Sequence, residues 1–133
     1  MTPNPNPQPW VASILVVEDE VLVRAVVADE LRAFGLSVLE ASSADEALSY
    51  FSAGVNVDLV FTDIQLPGSL DGLQMAHRLR TEYPSLPIVL TSGNLGFLGR
   101  PGAELFVPKP YEVSSVVKFI VDLLTDENGS GDE

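Results

Sequence analysis

The sequence predicts a single α/β domain in which helices cover both faces of a five-stranded parallel sheet. Short apolar runs alternate with longer stretches of helical spacing, which is typical of repeated strand and helix units. The first run, Ile14–Val17, is continuously apolar, as expected of a strand that is buried on both sides. The 133 residues, 46% of them hydrophobic, supply one compact core but hardly two.

Apolar stripes and end signals mark the helices. Val23, Val27 and Leu31 form the stripe of the first helix. Ser43 followed by Glu46 is a capping-box pattern, which indicates where the second helix begins. The predicted elements are strand 14–17, helix 21–34, strand 37–41, helix 43–51, strand 58–62, helix 71–83, strand 87–92, strand 105–107 and helix 111–124.

The stretch between the last two strands interrupts the alternation. Four glycines and a proline fall between Gly93 and Gly102, where a helix should connect the strands. Each glycine costs roughly 1 kcal/mol relative to alanine inside a helix. We therefore expect this connecting helix to be short or replaced by a loop.

The two ends of the chain differ in composition from its middle. Residues 1–12 are proline-rich and predict a flexible arm, residues 125–133 predict a flexible acidic tail, and residues 13–124 form the domain. Nothing at the amino terminus resembles a signal peptide, and the apolar runs are too short to cross a bilayer, so we expect a cytoplasmic protein.

Charge and cysteine content exclude several classes of function. Acidic residues outnumber basic ones 19 to 7, giving a net charge of −12, which would repel nucleic acid and anionic lipid. The sequence contains no cysteine, which excludes a disulfide framework, a thiol nucleophile and a thiolate zinc site.

Polar side chains end several of the predicted strands. Glu18 and Asp19 follow the first strand, Asp63 the third, and Thr91 or Ser92 ends the fourth. The carboxyl ends of parallel strands share one edge of the sheet, so these groups should converge. Carboxylates this close need raised pKa values or a bound cation, and their oxygens suit Mg²⁺. With Lys109 after the fifth strand, such a site can receive a phosphoryl group on a carboxylate.

Four segments in the same order resemble the receiver domains of response regulators in two-component systems. They are VVEDE, DLVFTDIQLPG, LPIVLTSG and VPKP, and the resemblance extends from about Ser13 to Leu124. It implies a flavodoxin-like doubly wound fold with strand order 2-1-3-4-5. It also implies a stand-alone phosphoacceptor domain that signals and is not an enzyme acting on other substrates.

The resemblance assigns the metal and phosphoacceptor positions. Glu18 and Asp19 would hold Mg²⁺, directly or through water, and Asp63 would be both the phosphoacceptor and a metal ligand. The backbone carbonyl of Gln65 would be a further ligand. The side chains of Gln65 and Asn94 would control the access of water to the phosphoryl group.

The resemblance also assigns the groups that respond to phosphorylation. Counting from Pro87 favours Ser92 as the switch hydroxyl, with Thr91 as the alternative, and Phe106 is the aromatic residue that moves behind it. Lys109 would contact the phosphoryl group, and the proline after it is usually cis in the family.

The implied partners follow from the same resemblance. A sensor histidine kinase or a histidine phosphotransfer protein would donate the phosphoryl group. Leu22 and Val26 lie off the main stripe of the first helix; they either belong to the core or, if exposed, would suit docking of the donor. An unidentified protein would receive the signal, unless the chain acts as a phosphate sink. We expect a monomer or a weak dimer, and no nucleic-acid or membrane partner.

One departure and two alternatives remain. The turn PGSLDG is one residue longer than is common, which, with the glycine-rich stretch, resembles an alphaproteobacterial subgroup. An aspartyl-phosphate hydrolase would need a second aspartate where Gln65 stands and a cap over its substrate. A binding module that never accepts phosphate would not need to keep Asp63, the acidic pair and Lys109.

Overall fold

Every short apolar run that was predicted to be a strand is a strand in the computed structural model, which describes residues 11–94, 96 and 105–129. The strands are β1 (Ser13–Val17), β2 (Ser37–Ala41), β3 (Leu59–Asp63), β4 (Ile88–Ser92) and β5 (Leu105–Pro108). The helices are α1 (Val21–Ala33), α2 (Ala44–Ser52), α3 (Gly72–Glu82) and α4 (Val113–Gly129).

The five strands form one parallel sheet in the order β2-β1-β3-β4-β5, which confirms the predicted fold class. β3 lies in the middle of this order, between β1 and β4. Because all strands run in the same direction, the carboxyl ends of β1, β3, β4 and β5 lie along one edge. This edge carries the candidate functional residues.

Alternate residues of the strands build two separate cores, one on each face of the sheet. Helices α2 and α3 contribute Ala47, Met75 and Leu79 to the first core, together with strand residues such as Leu90. Helices α1 and α4 contribute to the second core, which contains the following buried residues: Ile14, Val16, Val27, Leu31, Leu59, Phe61, Val89, Val116, Val117, Ile120 and Leu124. Burial on both faces explains the continuously apolar strands.

Helix α3 is held against the end of β3 by a close backbone contact. Asp71 caps the helix by accepting a hydrogen bond from the backbone N–H of Gln74 at 2.8 Å, and the Gln74 side chain accepts one from the Asp71 N–H at 2.9 Å. The Gly72 N–H donates to the Ile64 carbonyl at 2.7 Å. The chain therefore returns directly beneath Asp63 after the turn that follows β3.

The last helix differs from its prediction. It begins two residues later than residue 111 and continues five residues past Leu124, to Gly129. The apolar stripe ends at Leu124, yet a formed helix extends through polar residues at little cost, and glycine is a common end point. Sequence hydrophobicity therefore marked the end of the apolar stripe, which lies five residues before the end of the helix.

The glycine-rich connection between β4 and β5 lies mostly outside the described residues, which include Gly93, Asn94 and Gly96 from it. Its expected short helix or loop stays a prediction, as do the flexible arm and tail. Helix α4 follows β5 and is a different helix, 17 residues long. Among the described helices, none has both the length and the apolar character needed to cross a membrane.

Candidate functional site

Three carboxylates from two strand ends meet at the carboxyl edge of the sheet. Oxygen atoms of Glu18, Asp19 and Asp63 all lie within 4.8 Å of one another. Glu18 and Asp63 are buried, whereas Asp19 is exposed. The parallel register of β1 and β3 produces this meeting, since Val17 is the partner of Thr62 and the acidic residues follow directly. Three oxygen ligands at this spacing, one open to solvent, fit a divalent cation such as Mg²⁺.

Lys109 joins two of these carboxylates from the end of β5. Its Nζ atom lies 2.9 Å from Asp63 Oδ2 and 3.1 Å from Glu18 Oε1. The backbone N–H of Lys109 donates to the Ser92 carbonyl at 2.9 Å, which fixes the lysine relative to β4. The Lys109–Pro110 peptide bond is cis, as the sequence resemblance implied. The lysine thus places one positive charge against two buried negative charges.

The pKa values of these groups reflect burial and mutual charge. Burial raises the pKa of Glu18, although hydrogen bonds from the Glu20 N–H and Lys109 oppose the change. For Lys109, burial alone would lower the pKa, but hydrogen bonds to Asp63 and Glu18 outweigh it and raise the pKa above its usual value. Lys109 is therefore fully charged at neutral pH and cannot act as a base there.

Two adjacent hydroxyls at the end of β4 are both buried, but their contacts differ. Ser92 Oγ accepts a hydrogen bond from the Asn94 N–H at 3.0 Å. Thr91 Oγ1 makes no hydrogen bond with any part of the chain that the structure describes. Thr91 is the register partner of Asp63, whereas Ser92 follows two residues after Leu90 and shares its face of the strand.

The family is decided by the match of the chain to a family model. Residues 14–121 match the model described as the response regulator receiver domain. The chain is a receiver domain. The predicted family and its function in two-component signalling are thereby confirmed.

Relatives and solved structures agree with this assignment. The nitrogen assimilation regulatory protein NtrX of Azorhizobium caulinodans is 36% identical over 111 residues, covering 78% of this chain and 24% of that protein. A crystal structure of NtrX from Brucella abortus in complex with ADP has 34% identity and a TM-score of 0.81, covering 92% of this chain and 29% of that one. Response regulator TrrA from Thermotoga maritima, solved in complex with Mg²⁺-BeF, has 29% identity and a TM-score of 0.76, covering 85% and 99%.

The chain spans 24% of the length of the curated NtrX relative. Receiver domains bind Mg²⁺ at an acidic pocket and interact with sensor histidine kinases or phosphotransfer proteins. The acidic group in this receiver consists of Glu18, Asp19 and Asp63.

The structure places the two other predicted site residues near this edge. Gln65 is exposed, and its backbone N–H donates to Asp63 Oδ1 at 3.3 Å. Phe106 is half-buried, is the register partner of Leu90, and packs against the core that α2 and α3 form. Ser92 therefore lies on the same face of the sheet as Phe106, whereas Thr91 lies on the opposite face.

Sequence reasoning missed two residues beside the acidic group. Tyr111 packs edge-on against Phe61 with ring centroids 5.8 Å apart, and burial followed by the negative charge of Glu18 raises its pKa to about 12. Arg24 donates from Nη1 to the Glu18 carbonyl at 2.8 Å. The sequence offered one indication of a role for Arg24, which is its position in the first turn of α1 directly after the acidic residues 18–20. Its contact with a backbone carbonyl leaves no mark in the sequence.

Proposed function

We propose that Asp63 accepts a phosphoryl group from a phosphohistidine donor, with Mg²⁺ held by Glu18, Asp19, Asp63 and the backbone carbonyl of Gln65. The observation that carries the proposal is the charge arrangement at Asp63. Its carboxylate lies 2.9 Å from the Lys109 ammonium and within 4.8 Å of two further carboxylates. A nucleophile, a lysine and a set of oxygen ligands thus occupy one small volume. Mg²⁺ bound there would neutralise charge on the carboxylates and on the transferring phosphoryl oxygens.

The residues of the chain divide the chemistry between them. An oxygen of the Asp63 carboxylate forms the new P–O bond while the P–N bond to the donor imidazole breaks. Lys109, which holds Asp63 Oδ2 in the free chain, then binds an oxygen of the phosphoryl group. The nucleophile is a carboxylate oxygen rather than a hydroxyl, so the step calls for no general base to activate it.

The buried serine at the end of β4 supports a mechanism by which the domain responds to phosphorylation of Asp63. Within the described part of the chain, the Ser92 hydroxyl is bonded to the Asn94 N–H, two residues further on, so it can reorient without breaking the sheet. We assign Ser92 as the switch hydroxyl in preference to Thr91, and Phe106, on the same face, as the side chain that follows it.

An apolar groove next to the site supports docking of the phosphohistidine donor. The groove has a volume of about 600 Å³, and Leu22 and Val26 of α1, Tyr111 and Lys109 are among the residues that line it. Leu22 is 80% exposed and Val26 53% exposed, and because both line the same groove they form a contiguous apolar patch rather than isolated exposed side chains. A helix carrying the phosphohistidine would cover these side chains and bring its imidazole to Asp63.

The first experiment measures the intact mass of the chain after incubation with acetyl phosphate and Mg²⁺. We expect one adduct of about 80 Da, dependent on Mg²⁺ and absent in Asp63→Asn. Asp63→Asn is nearly isosteric and keeps a hydrogen-bond acceptor for Lys109, so a loss of the adduct reports chemistry rather than unfolding. An adduct that persists in Asp63→Asn would show that another group is the acceptor.

A second assay separates the receiver from an aspartyl-phosphate hydrolase, which uses a similar carboxylate. The chain is incubated with an excess of a small phosphomonoester, and released phosphate is counted per molecule of protein. We expect no more than about one equivalent, because no second aspartate stands at Gln65 to activate water. Repeated turnover would show that Asp63 also supports hydrolysis of external phosphate esters.

A further inference from the structure

The acidic turn between β1 and α1 is fixed at each of its backbone ends. The Glu18 N–H donates to the Ala41 carbonyl of β2 at 3.0 Å, and the Glu18 carbonyl accepts from Arg24 Nη1 at 2.8 Å. The Glu18 side chain accepts from the Glu20 N–H at 3.0 Å. Of these three bonds, only the one from Arg24 is donated by a side chain, so substitution of Arg24 can remove it.

Arg24 is itself held in place by an ion pair with the neighbouring strand. Its Nε atom lies 3.1 Å from Glu40 Oε1, and its side chain is only 18% exposed. The second carboxylate oxygen of Glu40 lies 3.1 Å from Nη2 of Arg32, whose side chain is 44% exposed. The planar guanidinium of Arg24 thus bridges a carboxylate on β2 and a carbonyl at the end of β1, a geometry that lysine cannot reproduce.

We propose that Arg24 is a positioning residue for the Mg²⁺ site, acting through the Glu18 carbonyl. The inference rests on the proposed function, because it concerns how the acidic pair is held for the metal. Arg24 touches none of the three carboxylates of the site. It fixes the peptide from which Glu18 and Asp19 project, so that both arrive at Asp63 already oriented. Groups that orient metal ligands from behind typically change metal affinity 10–100-fold when they are removed.

The sign of the effect separates positioning from simple electrostatics. Removing a positive charge near a metal site should strengthen the binding of Mg²⁺, because less charge repels the cation. Removing a support of the ligands should weaken it. Arg32 offers the matched control, since it lies on the same helix, carries the same charge and pairs with the same Glu40. It makes no contact with Glu18.

The test compares the Mg²⁺ dissociation constants of wild type, Arg24→Met and Arg32→Met by isothermal titration calorimetry. We expect Arg24→Met to bind Mg²⁺ about tenfold more weakly. Arg32→Met should stay within about twofold of wild type or bind slightly more tightly. Equal constants for the two variants, or tighter binding by both, would overturn the role of Arg24.

A kinetic readout distinguishes positioning from a general loss of structure. The initial rate of adduct formation with acetyl phosphate is measured against Mg²⁺ concentration. In Arg24→Met the Mg²⁺ concentration giving half-maximal rate should rise about tenfold while the maximal rate approaches that of wild type. A lowered maximal rate with an unchanged Mg²⁺ midpoint would contradict the proposal.

Two further arms keep the outcome interpretable. If wild type binds no Mg²⁺, the proposed function fails. If wild type binds Mg²⁺ and Arg24→Met binds it with the same affinity, only the inference about Arg24 is refuted. Should Arg24→Met not fold, Arg24→Lys is measured instead, because it keeps the charge but cannot span both partners. At least about threefold weaker Mg²⁺ binding by Arg24→Lys supports the role, and wild-type affinity rejects it.

Discussion

Lys109 is the residue that balances the charge of the site in the free chain, since it contacts both buried carboxylates. Lys109→Met should destabilise the fold by about 1–3 kcal/mol at neutral pH, the cost of leaving a buried group unpaired. Because the pKa of Lys109 is raised in the folded chain, its contribution to the free energy of unfolding stays constant at every pH below the pKa of lysine in the unfolded chain. The pH dependence near neutrality therefore comes from Glu18. The free energy of unfolding is measured with urea at several pH values.

The sign of that pH dependence is determined by the raised pKa of Glu18. A carboxyl whose folded pKa is raised stabilises the fold below its unfolded pKa, and this contribution is lost as pH rises through the folded pKa. Without Lys109 the folded pKa rises further, so the loss on going from about pH 5 to about pH 7.5 should be larger in the variant than in wild type. Lys118→Met, which removes an exposed lysine paired with Asp122, is the matched control and should show no such difference. If the difference in free energy of unfolding between wild type and Lys109→Met stays constant across this pH range, the assigned charge balance is contradicted.

Single residues of the site were predictable to different degrees. Strand-end position alone predicted that Glu18, Asp19 and Asp63 would meet, because parallel strands share one edge. Counting from Pro87 favoured Ser92 over Thr91 as the switch hydroxyl, and the choice stays a proposal. The register, which puts Thr91 opposite Asp63 and Ser92 on the face of Phe106, supports it. Arg24 was not predictable, because its partners are a backbone carbonyl and a side chain of another strand.

At the scale of the elements, the joint between β3 and α3 depends on the absence of one side chain. A Cβ atom on Gly72 would overlap the Asp63 carbonyl and lie 2.9 Å from the Ile64 Cα. Gly72→Ala should therefore push α3 away from the phosphoacceptor strand and lower the free energy of unfolding by about 1–3 kcal/mol. Chemical denaturation measures the change. Gly93→Ala is the control, because a Cβ there meets nothing within 4 Å, and an equal loss in both would contradict the steric explanation.

Element types were predicted well because both local and long-range forces favour them, whereas element ends depend on details of capping. Ser43 caps α2 as expected, by accepting from the Glu46 N–H at 3.1 Å. The reciprocal half of the predicted box does not form, since the Glu46 side chain accepts instead from the Ser42 N–H at 2.8 Å. The residue pattern predicts where the helix begins, but it does not predict which of the neighbouring N–H groups the Glu46 carboxylate accepts from.

At the scale of the whole molecule, acidic charge and the apolar groove would act at different stages of the proposed docking. The net charge of −12 would attract a donor with a basic docking surface from a distance, but water and salt screen it beyond about 8 Å at physiological ionic strength. The groove beside Lys109 would act only on contact, through the exposed apolar side chains of α1. Charge should therefore govern how fast a donor arrives, and the groove how long it stays.

This division predicts the effect of Leu22→Ser, which removes the most exposed apolar side chain of the groove. Burying a leucine contributes about 1.5–3 kcal/mol, so phosphotransfer from a histidine phosphotransfer protein that serves the wild-type chain should slow at least about tenfold. The rate with acetyl phosphate, which needs no docking surface, should change by less than about twofold. Val55→Ser, an exposed apolar residue at the opposite edge of the sheet, is the matched control and should leave both rates unchanged. If Leu22→Ser slows both donors equally, the groove supports the site itself and is not where the donor docks.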